Sequence, residues 1–111
     1  MTVREERLAR TEALFRDVNE RIAESAEGFD ADHADFVCEC GEQDCTERVP
    51  ATLDDYERVR ADGARFLIRR GHENECVERV LETRDRFAVV EKFQARMVAI
   101  VRKLDPRMEP I

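Results

Sequence analysis

The chain has 111 residues, 41% of them charged, and a net charge of −7. That length suits one domain, 1–111, with a real but modest core. The acidic balance argues against nucleic acid as the main partner, because phosphate binding needs clustered Lys and Arg. It also disfavours anionic membrane surfaces, and no apolar run approaches the roughly 20 residues of a membrane span.

Residues 3–27 read as one long amphipathic helix, stopped by Gly28. Leu8, Thr11, Phe15, Val18 and Ile22 alternate by three and four along one stripe, with Leu14 beside it. This stripe is the expected packing face. It could serve the domain's own core or a dimer seam, and two heptads are short for a coiled coil. Residues 30–35 follow as a polar connector containing His33. Residues 36–40 are an expected strand, 41–44 a loop and 46–49 a candidate second strand that Pro50 ends, since it has no N–H for a ladder.

Thr52 is a good N-cap for a middle helix over 53–62, with Asp55 three residues on. Leu53, Tyr56 and Val59 are its expected buried face, and Gly63 stops it. Residues 65–69 read as a strand and Gly71 turns the chain. The segment 73–83 is ambiguous. Its apolar residues have helical spacing, yet 77–83 and 86–92 could pair as a hairpin across Arg84-Asp85. A C-terminal helix is expected over 92–104, with Phe93, Met97, Ile100, Val101 and Leu104 on one stripe. Pro106 and Pro110 mark a frayed tail.

Cys38, Cys40 and Cys45 fall in the spacing C-x-C-x4-C. Crowded thiolates of this kind hold soft metals, and zinc is the default redox-inert ion. In an extended segment Cys38 and Cys40 share a face and Glu39 points the other way, into water. Gly41 can take the positive φ of a tight turn and bring Cys45 back beside them. A disulfide framework fits poorly, because no apolar signal segment is present and a reducing cytoplasm is the natural compartment. Zinc needs a fourth ligand. His72, aimed from a Gly-His-Glu turn with Glu73 as its carboxylate neighbour, is favoured; Cys76 is the rival and His33 a distant third.

The segments Phe36-Val37-Cys38-Glu39-Cys40-Gly41, Asp44-Cys45-Thr46-Glu47, Tyr56-Glu57-Arg58-Val59-Arg60, Arg65-Phe66, Gly71-His72-Glu73 and Val89-Val90-Glu91-Lys92 together resemble a group of small uncharacterised actinobacterial-type proteins. The resemblance covers most of the chain. It implies Cys38, Cys40, Cys45 and His72 as the ligand set and leaves Cys76 off the motif. It brings no established activity.

The expectation is an α+β domain: a small, mostly antiparallel sheet with a zinc-held loop, a middle helix and flanking N- and C-terminal helices. There is no Gly-rich phosphate loop, no G-x-S-x-G and no H-E-x-x-H. The leading function is therefore a cytoplasmic, non-enzymatic zinc protein acting through a protein partner or self-association at its N-terminal helix. The alternatives are a zinc–thiolate redox switch that releases metal on oxidation, with Cys76 as resolving thiol, and a metalloenzyme with an open zinc position.

Overall fold

The structure, a computed structural model, describes residues 3–107; Pro110 of the expected tail lies outside the described residues. The element order is α1 (Val3–Gly28), β1 (His33–Val37), β2 (Arg48–Thr52), α2 (Leu53–Val59), β3 (Arg65–Ile68), β4 (Glu78–Thr83), β5 (Ala88–Lys92) and α3 (Ala95–Lys103). The α+β class and all three helices are as the sequence implies. The strands form two small antiparallel sheets rather than one: a β1–β2 pair and a three-stranded sheet in the order β3-β5-β4.

Several boundaries move for physical reasons. β1 begins at His33, inside the expected connector, and ends before Cys38. Pro50 sits within β2 opposite Asp35 instead of ending it. Both strands of a two-stranded sheet are edges, so a proline can occupy a position where the ladder asks for no N–H. The ambiguous 73–83 segment resolves as the hairpin: β4 pairs with β5, and the Arg84 N–H bonds to the Phe87 carbonyl at 2.8 Å to close the turn. β5 runs through Lys92, so α3 starts later than its apolar stripe suggests. Met97 and Val101 are buried on it, whereas Phe93 is left half exposed. Thr52 caps α2 as expected, accepting the Asp55 N–H at 3.0 Å, and Tyr56 and Val59 are buried. The Tyr56 ring stacks on Phe36 of β1 at 4.5 Å, joining α2 to the first sheet.

The largest departure is in α1. The helix packs on its own domain, against β1 and α3, but of its apolar stripe only Leu8 and Ile22 pack against the core, and those in part. Its fully buried face is Ala9, Glu12, Ala13, Arg16, Asn19, Glu20 and Ala23. Leu14 and Val18 face solvent, and Leu8, Phe15 and Ile22 are only half buried. The alanines let the helix approach closely, and each polar side chain reaches a different element. Glu12 meets Lys92 Nζ at 2.5 Å, and Lys92 also pairs with Glu78. Arg16 donates to the carbonyls of Gly63 and Val101, both at 2.6 Å, with its guanidinium 4.8 Å over the Phe66 ring. Asn19 exchanges two hydrogen bonds with the Val37 backbone. Glu20 accepts from Tyr56, Arg60 and Arg107. Buried polar groups are tolerated when partnered in this way, so the helix is bolted on by polar contacts.

Candidate metal centre

The chain leaves β1 at Val37 and crosses towards the second sheet. The Cys38 N–H bonds to Glu47 O and the Glu39 N–H to Leu67 O. Gly41 then turns with φ 83°. A Cβ there would lie 2.5 Å from Leu8 Cδ1 and 2.8 Å from Glu12 Cγ, so glycine serves both the turn and the close approach of α1. The Cys45 N–H bonds back to Glu42 O at 3.0 Å, closing the loop. From the other side, β3 ends at Ile68 and Gly71 turns with φ 87° to present His72.

These two turns bring Cys38, Cys40, Cys45 and His72 together, with all four donor atoms within 4.8 Å of one another. His72 Nδ1 lies 3.6 Å from Cys38 Sγ and 3.6 Å from Cys45 Sγ. A tetrahedral zinc with Zn–S of about 2.3 Å and Zn–N of about 2.0 Å would separate sulfur and nitrogen by about 3.6 Å. The group can hold a metal ion. Cys38 and Cys40 are buried and Cys45 is half exposed.

Each sulfur also receives one backbone N–H: Arg69 to Cys38 at 3.2 Å, Glu42 to Cys40 and Glu47 to Cys45. Such donors stabilise sulfur that carries negative charge. The three thiols are otherwise unequal. A hydrogen bond from Cys38 pushes Cys40 down to about 5. The same bond, together with burial, pushes Cys38 far above the ordinary thiol range, and burial raises Cys45. A cation among them would take the place of the thiol protons, so metal binding and proton release are linked.

Glu39 corrects the expected picture. Its side chain does point away from the sulfurs, but towards the core rather than water, and it is fully buried. Oε1 accepts the Leu67 N–H at 2.8 Å and Oε2 accepts from Asn19 Nδ2 at 2.7 Å. Burial pushes its carboxyl up to about 7, opposed by these two donors. The residue between two metal ligands thereby ties the loop to both β3 and α1. Alternation along a strand gives the direction of a side chain, and only the tertiary fold shows what waits there.

The rival ligands stand apart. Cys76 is exposed and outside the cluster. His33 is on β1, hydrogen-bonded to Asp32 at 2.7 Å on the surface. Among the described residues, Glu73 makes no hydrogen bond to the His72 ring, so its expected supporting role is not seen. Sequence reasoning also missed Asn19 and the Arg69 N–H. The first looked like one more polar residue on a solvated helix face, and a backbone donor leaves no trace in sequence. No helix of the described residues is long and apolar enough to cross a membrane. Neither a family model, a curated protein nor a solved structure matches this chain.

Proposed function

We propose that the chain is a structural zinc protein, non-enzymatic and cytoplasmic, whose ion is closed by the thiolates of Cys38, Cys40 and Cys45 and by His72 Nδ1. The gathering of one nitrogen and three sulfurs within 4.8 Å, with His72 Nδ1 3.6 Å from two of the sulfurs, carries this reading. Four protein donors fill a tetrahedron, which favours an organising ion over one that activates water. The zinc would staple the 38–45 loop to the turn before β4. Free thiols in a closely spaced group suit a reducing compartment. Elemental analysis of protein purified without chelator tests the reading: one zinc per chain is expected, and less than about half an equivalent contradicts it.

The partner in this proposal is a second copy of the chain, docked along the outward face of α1. Leu14 and Val18 are 60% and 39% exposed there. At the exposed positions Arg4, Arg7 and Arg10 lie towards the start of the helix, Arg10 paired with Glu6, and Glu24 and Glu27 lie in its last turns. An antiparallel copy sets unlike charges opposite each other, as a two-fold interface requires. Sedimentation of the full chain beside a Leu14→Glu, Val18→Glu double variant tests this. Dimers that the variant loses support it, and a monomer at all concentrations refutes it.

A further inference from the structure

Two adjoining clefts lie on the face formed by β2, the end of β3 and the β4–β5 turn, with volumes of about 780 and 700 Å³. They share Pro50, Arg70, Asp85 and Arg86. Together they gather five of the chain's arginines: Arg48, Arg69, Arg70, Arg84 and Arg86. The carboxylates on their walls are Glu47, Asp55 and Asp85. In a chain of net charge −7 this local excess of positive charge runs against the composition.

The pairing pattern sharpens the point. Arg58, Arg60, Arg65, Arg79, Arg102 and Arg107 are each satisfied by carboxylates. Within the clefts, Arg69 is paired with Glu47, Arg84 with Glu82, and Asp55 is taken by Arg58. Among the described residues, Arg48 and Arg86 have no carboxylate partner, and Arg70 reaches only the Asp85 carbonyl, at 3.5 Å. Arg21 and Arg96, by contrast, lie on helices, whereas Arg70 and Arg86 line both clefts and Arg48 lines the second. The Thr52 and Thr83 hydroxyls line the same walls, and buried Phe87 gives an apolar floor. Arg48 opens β2 just after the Cys45 loop, and the backbone beside Arg70 is held by the Arg69 N–H on Cys38 Sγ.

We propose that these clefts form a binding site for a small phosphorylated anion, gripped by Arg48, Arg70 and Arg86. The guanidinium fork matches phosphate oxygens in pairs. The volume is that of a metabolite-sized ligand. The surrounding acidic surface would repel an extended polyanion, so a compact phosphate ester or pyrophosphate fits better than a nucleic-acid duplex.

Calorimetric titration of the full chain, as purified, with pyrophosphate and with ADP tests the site. The comparison variants are Arg70→Ala with Arg86→Ala, and Arg96→Ala as a control at an exposed position of α3. Backbone amide spectra and metal content establish that each variant stays folded. Binding to the parent and the control, weakened at least about tenfold in the double variant, supports the proposal. No heat of binding up to about 1 mM ligand, or equal affinity in all three proteins, overturns it. A short DNA duplex binding more tightly than either small ligand also overturns it. Failure of this site would leave the zinc stoichiometry test untouched.

Discussion

Two polar clusters hold this small domain together, and they sit on either side of Glu39. One is the Cys38, Cys40, Cys45 and His72 group. The other is the buried stripe of α1, where Glu12, Arg16, Asn19 and Glu20 meet Lys92, two carbonyls, the metal strand and the Tyr56–Arg60–Arg107 group. The first gathers three ligands from one short loop and a fourth from the turn after β3, and would be energised by an ion. The second draws partners from across the whole chain and is energised by matched hydrogen bonds. A metal centre can thus be local and strong, while a bolted helix is distributed, and its parts can be tested one at a time.

The largest expected effect is on the metal side. Cys38→Ser, Cys40→Ser or Cys45→Ser should each lose zinc and most of the stability, since apparent zinc energies near neutral pH are on the order of 10 kcal/mol. Chemical denaturation with metal analysis checks this. A variant that keeps a cooperative transition of parental midpoint without metal would show that the polar stripe suffices. His72→Ala should weaken zinc binding more than Cys76→Ser, which should leave both metal and midpoint unchanged. Metal competition with a coloured chelator ranks the two.

On the helix side, Arg16→Ala should cost about 3 kcal/mol, because it strips the carbonyls of Gly63 and Val101 of a buried charged donor. Urea unfolding of the zinc-loaded chain reads this directly, with one zinc per chain retained. Asn19→Ala should cost somewhat less, about 2 kcal/mol, yet touch both clusters, since Asn19 holds Val37 and Glu39. Its added signature is a faster loss of zinc to chelator. Removal of residues 1–28 should unfold the domain, in contrast to a helix that serves only a partner.

The comparison explains what the sequence makes readable. Cys38, Cys40 and Cys45 announce themselves because three thiols so close have few other uses, and Gly41 and Gly71 mark the turns that gather the site. Thr52 is an equally local signal, whereas over 73–83 helical spacing competes with the hairpin and only the β4–β5 pairing decides between them. The α1 stripe defeats the same reasoning. Periodicity identifies a face, but charge is no sure mark of the wet side. Ala9, Ala13, Ala23 and the polar residues between them in fact share the 3–4 spacing, and small residues at that spacing were the available clue to close approach. Glu39 shows the same limit: alternation gives its direction, and the charge does not reveal that it is buried. The clefts around Pro50 require knowing that β2, β3 and the β4–β5 turn meet, which no local pattern encodes.

A separate effect, on pH dependence, belongs to Glu12. Burial pushes its carboxyl from 4.5 up to about 8, against the pull of Lys92. The native state then holds a proton that the unfolded chain releases, so stability declines as pH rises from about 4.5 towards about 8 and levels off above. Glu12→Gln should remove that decline. Unfolding midpoints between about pH 6 and pH 8 should converge less steeply on lower values in the variant than in the parent. Parallel profiles would place the proton elsewhere.

The central claim is the identity of the four ligands. X-ray absorption at the zinc edge measures it on the intact protein in solution. The account predicts three sulfur scatterers at about 2.3 Å and one nitrogen at about 2.0 Å, with imidazole features lost in His72→Ala. A shell of four sulfurs, or of fewer protein donors with a water oxygen, would contradict it.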